Sequence, residues 1–297
     1  MSEIQNYSQV LVLSGKGGTG KTTFAASISK LTKNKIVIDC DVDAANLYLL
    51  LNPEIEAQQQ FYGGKKAEID SENCNECGFC EEICRFDAIH NFRVDVISCE
   101  GCGFCAKVCP EQAISFDFHK TGDFYSCVLE DESKFIYAKL IPGEGNSGKL
   151  VSEIKKAATD NISEVIEWII IDGPPGIGCP VNASLSGTDF VVIVAEPTLS
   201  GLHDLTRLLE LLKKMKYTHG IIINKFDLNL EVTEKINELA KMNNVDVLGY
   251  LPFHHDFVRS LQLGKTIVEF NLEIGKQIEN IWLGITRHIN NKKGFIK

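Results

Sequence analysis

Residues 15–22 read Gly-Lys-Gly-Gly-Thr-Gly-Lys-Thr, directly after the apolar run Val10–Leu13. They meet the phosphate-loop pattern G-x-x-x-x-G-K-[ST] in full. Backbone N–H groups of such a loop face phosphate oxygens, and the helix that begins there adds its positive end. We therefore expect a strand–loop–helix unit that binds a nucleotide, with Lys21 on the β- and γ-phosphates and Thr22 on Mg²⁺. A glycine-rich turn without a ligand is the alternative, and the flanking strand and helix patterns argue against it.

A second stretch, Gly143–Lys149, repeats the G-x-x-x-x-G-K spacing. Leu150 follows it and has no hydroxyl group for magnesium. We interpret this stretch as a turn from a strand into a helix, with Asn146 and Ser147 as capping residues.

Polar side chains also end or follow several apolar segments that are predicted to be strands. Asp39 ends the segment KIVID and is followed closely by Asp41, and Asp172 ends EWIIID. Asn224 lies in IIINK, and Pro252 lies in the later segment Leu-Pro-Phe. Open α/β sheets bind ligands at the carboxyl ends of their strands. We therefore expect these side chains to lie near the phosphate loop.

The segment KGGTGKTT at residues 16–23 resembles the deviant Walker A motif of the MinD/ParA superfamily of ATPases. That superfamily includes the nitrogenase iron protein and the Mrp-type iron–sulfur carriers. The resemblance implies a homodimer that encloses ATP and Mg²⁺, in which Lys16 reaches the phosphates of the partner. It also implies that Asp41 orients the attacking water and that Asp39 and Asp172 support the magnesium ion.

The same resemblance implies the residues of the nucleotide site, with Asn224 and Pro252 on the adenine side. Catalytic roles fall on Lys16, Lys21, Asp39 and Asp41. The residues expected to contact ATP are Gly15, Gly17, Gly18, Thr19, Gly20, Lys21, Thr22, Thr23, Asp172, Asn224 and Pro252.

Eight of the 11 cysteines fall between residues 74 and 109, in two runs spaced C-x₂-C-x₂-C-x₃-C. This is the bacterial ferredoxin spacing, in which the fourth cysteine of each run binds the cluster of the other run. We therefore predict two [4Fe–4S] clusters, although Arg85 stands where the first run usually has proline. The predicted ligands are Cys74, Cys77, Cys80 and Cys109 for cluster 1, and Cys99, Cys102, Cys105 and Cys84 for cluster 2.

Two other interpretations of the cysteines are disfavoured. A disulfide scaffold requires an oxidising compartment, and the N-terminus has no export signal. Zinc prefers two C-x₂-C pairs separated by a longer loop. A ninth cysteine, Cys179, follows Asp172 by seven residues. The nitrogenase iron protein has a cluster-bridging cysteine at the same offset, so Cys179 is a candidate bridge; a small buried residue beside a turn is the alternative.

The alternation of strand and helix patterns predicts an α/β fold, a mostly parallel doubly wound P-loop NTPase sheet, with an inserted small α+β ferredoxin-like domain. We expect the ATPase domain to comprise residues 1–62 and 119–297 and the insert to comprise residues 63–118. A helix is predicted over Ala44–Leu51, and the polar, Gln-rich residues 52–64 are interpreted as a domain boundary.

The net charge of −10 argues against a nucleic-acid partner. We expect no transmembrane segment. The basic tail Asn290–Lys297 is too short in its apolar face for stable anchoring, so a membrane role is not expected. Cysteines that bind iron–sulfur clusters agree with a cytoplasmic location.

These features together indicate an ATP-gated iron–sulfur protein. ATP-driven closure of a homodimer would be coupled to electron transfer toward a redox partner, or to metallocofactor assembly on a partner protein. The alternative is a MinD/ParA-like positioning or scaffold ATPase whose clusters are redox-sensing or structural. Simple carriage of clusters is disfavoured, because Mrp-type carriers use a C-terminal cysteine pair and no cysteine follows Cys179.

Overall fold

A large mixed sheet organises the molecule, as seen in a computed structural model that describes residues 7–160, 162 and 165–294, without the side chains of 292–294. Within these residues nine strands form one sheet in the order β11-β10-β9-β1-β8-β2-β7-β6-β3, and β4 and β5 form a separate hairpin. The strands are β1 Ser8–Ser14, β2 Lys35–Asp39, β3 Glu54–Ile69, β4 Ile89–His90, β5 Arg93–Val94, β6 Ile114–Val128, β7 Lys134–Leu140, β8 Trp168–Pro175, β9 Phe190–Ala195, β10 His219–Asn224 and β11 Asp246–Leu251.

Helices cover both faces of this sheet. They are α1 Lys21–Leu31, α2 Tyr48–Leu51, α3 Phe79–Glu82, α4 Phe104–Val108, α5 Ser147–Thr159, α6 Cys179–Leu185, α7 Leu199–Lys214, α8 Leu230–Met242, α9 His255–Gln262, α10 Ile267–Phe270 and α11 Leu272–Gly294, with a 3₁₀ turn at Phe226–Leu228. None of the helices in the described ranges is long and apolar enough to cross a membrane. Residues 295–297 of the basic tail lie outside the described residues.

The strands from β11 to β7 pair in parallel, while β6 and β3 are added in antiparallel orientation. Successive residues of β1 point to opposite faces, so that Leu11 belongs to the apolar cluster shared with α5, α6, α7 and α8, whereas Val12 belongs to the one shared with α1 and α11. Strands that are buried on both faces need apolar residues at every position, which explains the continuous apolar runs in the sequence. The prediction of a mostly parallel, doubly wound α/β sheet is confirmed.

The chain order reverses beside β1, because the chain moves from β1 toward β2 on one side and later toward β9 on the other. Ligands bind at such a reversal, outside the carboxyl ends of the strands. The phosphate loop leaves β1 at this point, next to the ends of β2 and β8.

Most of residues 52–64, interpreted from the sequence as a domain boundary, belong to a long two-stranded ribbon. Strand β3 pairs with β6 from Glu54 opposite Val128 to Ile69 opposite Ile114. The polar composition of this stretch is explained by its position, since β3 is the outermost strand and its polar side chains from Glu54 to Gln60 stay exposed. The division of the chain at residues 63 and 118 stays a prediction. Strand β3 continues across the first of these limits and strand β6 across the second.

The helix predicted over Ala44–Leu51 is shorter than expected, because α2 comprises only Tyr48–Leu51. The preceding residues form a turn whose backbone N–H groups at Asn46 and Leu47 donate to Asp39. A buried carboxylate that accepts these bonds competes with the helical hydrogen bonds that the sequence pattern suggests.

Candidate nucleotide site and cysteine cavities

The phosphate loop forms one wall of a cavity of about 740 Å³ at the carboxyl ends of the central strands. Gly20 precedes α1 with φ 94°, and a Cβ atom there would collide with the amide of Asn224. Only glycine satisfies both constraints. The cavity is bordered on the other side by the turn after β2, including Asp41, and by Pro175 at the end of β8. Its volume lies in the range of small-molecule sites.

Lys21 is the buried cation of this cavity. Its Nζ lies 2.8 Å from Asp172 Oδ1 and 3.5 Å from Asp41 Oδ2. Burial alone would lower the pKa of Lys21, but the carboxylates of Asp172, Asp41 and Asp39 raise it above its ordinary value. Lys21 is therefore protonated, and it lies at the end of the phosphate loop.

Asp39 is fully buried and anchors the turn after β2. Its carboxylate accepts hydrogen bonds from the backbone N–H groups of Asp41, Asn46 and Leu47 at 3.0–3.2 Å. Burial and the neighbouring charge of Asp172 raise the pKa of Asp39 to about 7, against the opposing effects of Lys21 and the N–H donors.

Asp172 provides an unused oxygen that fits a magnesium ion. The residue is fully buried, and its Oδ2 atom has no hydrogen-bond partner within the described part of the chain. Lys21, whose Nζ contacts the other oxygen, also lies 3.4 Å from the hydroxyl of Thr22. A hard divalent cation prefers such oxygen ligands, so Thr22 and Asp172 are suited to hold Mg²⁺ or its waters.

Lys16 is held within its own subunit. Its Nζ lies 2.6 Å from Glu196 Oε1 and donates to the hydroxyls of Thr198 and Ser200 at 3.1 and 3.0 Å. Glu196 also binds Lys225 at 2.9 Å. The implied role of Lys16 on a partner's phosphates stays a prediction, and it requires this set of contacts to open.

Glu196 is a site residue that the sequence reasoning missed. It directly follows the last residue of β9, so the same rule that selected Asp39 and Asp172 could have found it. Burial would raise its pKa, but the hydrogen bonds and charges of Lys16 and Lys225 hold it below the usual range.

A second cavity of about 280 Å³ adjoins the first on the side of Asn224. Asn224 Nδ2 donates to the carbonyl of Thr19 at 2.7 Å, which ties β10 to the phosphate loop. The cavity is lined by Leu251 and Phe253 but not by the intervening Pro252. The assignment of Asn224 and Pro252 to adenine stays a prediction.

The eight clustered cysteines lie at the far end of the β3–β6 ribbon and line two separate small cavities. All are free thiols. One cavity brings together Cys74, Cys77, Cys80 and Cys109, and the other brings together Cys84, Cys99, Cys102 and Cys105. These are the two sets that the spacing predicts, and their assignment to clusters stays a prediction. Gly78 and Gly103, with φ 75° and 68°, form the corresponding turns in the two runs.

Cys179 lies apart from these cavities. It is the first residue of α6, is exposed, and packs near Gly148 of α5. Its role as a bridge between subunits stays a prediction.

Comparisons with known proteins agree with this site. The family model described as CobQ/CobB/MinD/ParA nucleotide binding domain matches residues 10–267. The uncharacterized protein MJ0578 of Methanocaldococcus jannaschii is 31% identical over 277 residues, covering 92% of this chain and 95% of its own length.

Solved structures show the same fold at low identity. The septum site-determining protein MinD of Pyrococcus horikoshii, complexed with Mg-ADP, has a TM-score of 0.56 and 17% identity, covering 93% of this chain and 94% of its own. The MinC:MinD cell division protein complex of Aquifex aeolicus gives a TM-score of 0.52 and 19% identity, covering 92% and 93%.

The phosphate loop, the acidic strand ends and the doubly wound sheet define a P-loop nucleotide-binding ATPase. The chain belongs to the CobQ/CobB/MinD/ParA family, and its ATPase domain is of the MinD/ParA type.

Replacing Lys16 should separate nucleotide binding from hydrolysis. We expect Lys16→Ala to bind Mg-ADP within a few-fold of the wild type and to lose roughly 10³-fold in maximal ATPase rate, since a charge on the transferring phosphoryl group is removed. Steady-state assays measure the maximal ATPase rate, and calorimetric titration measures the affinity for Mg-ADP. Lys33→Ala, an exposed lysine just after α1, is the matched control. A wild-type hydrolysis rate for Lys16→Ala would contradict the role of this lysine.

The raised pKa of Asp39 should appear in the pH dependence of stability. Between about pH 4 and 7 the folded protein holds a proton on Asp39 that the unfolded chain releases, so stability falls as pH rises through this window. The contribution is at most about 1.4 kcal/mol per pH unit. We expect Asp39→Asn to flatten the slope of unfolding free energy against pH, measured with urea on the nucleotide-free protein.

Asp43→Asn is the control for this measurement, because it makes the same change on the same turn at an exposed position. Equal slopes for Asp39→Asn and the wild type would show that Asp39 is not the proton-binding group.

Proposed function

We propose that this protein is a nucleotide-gated iron–sulfur ATPase. ATP-driven closure of a homodimer controls how two [4Fe–4S] clusters deliver electrons to a partner protein, or support assembly of its metallocofactor. The observation that carries the proposal is the placement of eight cysteines in two sets of four, on a ribbon that grows from the sheet of a P-loop ATPase.

Each of the two cavities offers four cysteine sulfurs, the donor set that a cubane cluster takes. Among the described residues no three His, Cys, Asp or Glu side chains converge on one ion. In a cubane each thiolate binds a different iron atom, so the four sulfurs stand farther apart than around one ion. The apolar side chains of Ala67, Ile89 and Ile114 pack among the cysteines and would limit the access of water. Bound clusters would accept and release electrons one at a time.

The connection between the ribbon and the nucleotide site favours gating. Strand β6 pairs with β7, and β7 pairs with β2, which ends at Asp39. The last N–H group of β7, at Leu140, donates to the carbonyl of Val42 in the turn after β2. A change in that turn on nucleotide binding therefore reaches the root of the ribbon through hydrogen-bonded backbone rather than through a linker.

Charge favours a protein partner over nucleic acid. Residues 63–118 contain eleven acidic and five basic residues, so much of the chain's net charge of −10 lies on this segment. An acidic surface around the cysteine cavities would steer a partner with a basic docking surface. Free thiols are the form that a reducing compartment maintains, so the proposal places the protein in the cytoplasm.

A second candidate is a positioning ATPase whose clusters sense redox state or stabilise the fold. The fold shared with the MinD of Pyrococcus horikoshii and with the MinC:MinD complex supports it. It predicts nucleotide-dependent localisation in cells. A protein that stays diffuse in every nucleotide state, and that reduces an acceptor faster with ATP, would exclude this candidate.

The cluster assignment predicts a stepwise loss of iron. We expect about eight iron atoms per chain in protein isolated without oxygen, and about four in Cys77→Ser, because each set of four thiolates holds one cluster. Iron analysis and electron paramagnetic resonance (EPR) spectra measure this. Cys127→Ala, a buried cysteine outside both cavities, should keep the full iron content. Iron-free wild-type protein after reconstitution would refute the clusters.

Gating predicts a reciprocal effect between nucleotide and electrons. If Mg-ADP or a non-hydrolysable ATP analogue changes a cluster's reduction potential, reduction must change the affinity for that nucleotide by the matching factor. We expect a change of roughly 5-fold or more in affinity, measured by titration of oxidised and dithionite-reduced protein. If the oxidised and reduced proteins bind the nucleotide with equal affinity and the iron content is full, the clusters are supported and gating is rejected.

A further inference from the structure

We infer that Glu144 is a positioning residue that couples the nucleotide site to one set of cysteines, Cys84, Cys99, Cys102 and Cys105, and not to the other. We call this set the proximal set and Cys74, Cys77, Cys80 and Cys109 the distal set. The inference rests on the proposed function, because it concerns how nucleotide binding reaches a cluster.

The two sets lie at different distances from the end of the β3–β6 ribbon. Ala67, opposite Phe116, lines the proximal cavity, whereas Ile69 and Ile114, the last pair of the ribbon, line the distal cavity. The proximal set therefore lies nearer to the large sheet. A Cβ atom at Gly101, between two proximal cysteines, would collide with the carbonyl of Lys65, so this loop lies directly against β3.

The segment between β7 and α5, residues 141–146, contacts the proximal set through a buried carboxylate. We call this segment the junction loop. The side chain of Glu144 is only 5% exposed. Its Oε1 lies 3.3 Å from His119 Nε2, and its Oε2 lies 3.4 Å from Lys66 Nζ. Lys66 Nζ in turn donates to the carbonyls of Val96 and Cys99 at 2.8 and 2.7 Å. The chain of contacts thus ends on the backbone of a predicted cluster ligand.

A second contact joins the junction loop to the same region. A Cβ atom at Gly143 would lie 3.5 Å from Ile97, which is in the loop that leads to Cys99. The distal set has no corresponding contact with residues 141–146 among the contacts of the described residues. Glu111, beside the distal cavity, instead accepts a hydrogen bond from Asn75 at 2.9 Å.

The elements that precede and follow the junction loop, β7 and α5, each contact a segment that borders the nucleotide cavity. Strand β7 leads into it after Leu140, which is bonded to the turn that contains Asp41. It then enters α5, where a Cβ atom at Gly148 would lie 3.4 Å from Cys179. Cys179 begins α6, three residues after Gly176, whose N–H donates to Ser14 immediately before the phosphate loop.

Coupling between two sites requires an element whose position both sites influence. The junction loop meets this condition because the elements at its two ends contact nucleotide-site segments, while its own Glu144 contacts Lys66. Glu144 is the negatively charged member of that ion pair, and its charge near the proximal set disfavours the reduced cluster. A displacement of the loop changes the distance of this charge and hence the potential of one cluster.

The test compares the two clusters in the cluster-loaded protein. Reduction potentials are measured by EPR-monitored titration with and without Mg-ADP and with a non-hydrolysable ATP analogue. In the wild type we expect nucleotide to shift one potential and leave the other unchanged. In Cys77→Ser, which would retain only the proximal cluster, the shift should persist. In Glu144→Gln we expect a higher potential for the proximal cluster and loss of its nucleotide-dependent shift, with iron content and nucleotide affinity unchanged.

Glu111→Gln is the matched control, since it removes a carboxylate beside the distal set and should keep the shift. A shift that persists in Glu144→Gln would overturn the inference while gating stands. If nucleotide changes neither reduction potential in the wild type, both the inference on Glu144 and the proposed gating would be overturned. If Glu144→Gln does not retain iron, His119→Gln is measured instead; it removes the contact at Oε1 only, and an unchanged shift there would overturn the inference.

Discussion

The buried ionic group around Lys21 is the constraint on which the nucleotide site depends. One ammonium faces Asp172 and Asp41, with Asp39 behind them, and all four side chains are buried. Removing one member of such a group typically costs 3–5 kcal/mol, because a charge is left buried without a partner. Two carboxylates, those of Asp172 and Asp41, face the one ammonium of Lys21, whereas Asp39 binds a proton as the pH falls below about 7. We expect a magnesium ion to relieve the remaining negative charge and the phosphate loop and Lys21 to face the phosphates, so that the site would favour a metal–nucleotide complex.

Much of the nucleotide site could be predicted from the sequence because its residues occupy positions fixed by the geometry of parallel strands. Asp39 ends β2, and Asp172 lies near the carboxyl end of β8, which pairs with both β1 and β2, so both carboxylates lie near the phosphate loop. The cysteine sets could be predicted because the spacing within each run places three thiols on one turn and the ferredoxin pattern assigns the fourth to the other run. Glu196 was missed although it obeys the same rule, because its strand end carries no recognised motif.

The remainder could not be predicted because it depends on partners distant in sequence. Strand β3 has the composition of a loop, and it is a strand only because β6 supplies backbone partners while its edge position leaves glutamine side chains in water. Glu144 lies in a stretch that resembles a phosphate loop by spacing alone. Its contacts with Lys66 and His119 arise from the path of the ribbon, which no local pattern specifies.

The ribbon also has a consequence for how the protein matures. Its two strands are separated by residues 70–113, so the sheet edge forms only after this long loop has closed, at an entropic cost. Clusters that cross-link the loop would lower this cost, as a staple does in a small domain. If the proposed clusters cross-link this loop, a chain without iron would hold β3 on β6 less firmly, and an unpaired β6 is the kind of edge on which proteins aggregate or are recognised for degradation. The timing of iron delivery relative to synthesis of the chain would then influence how much protein reaches the folded, nucleotide-binding form.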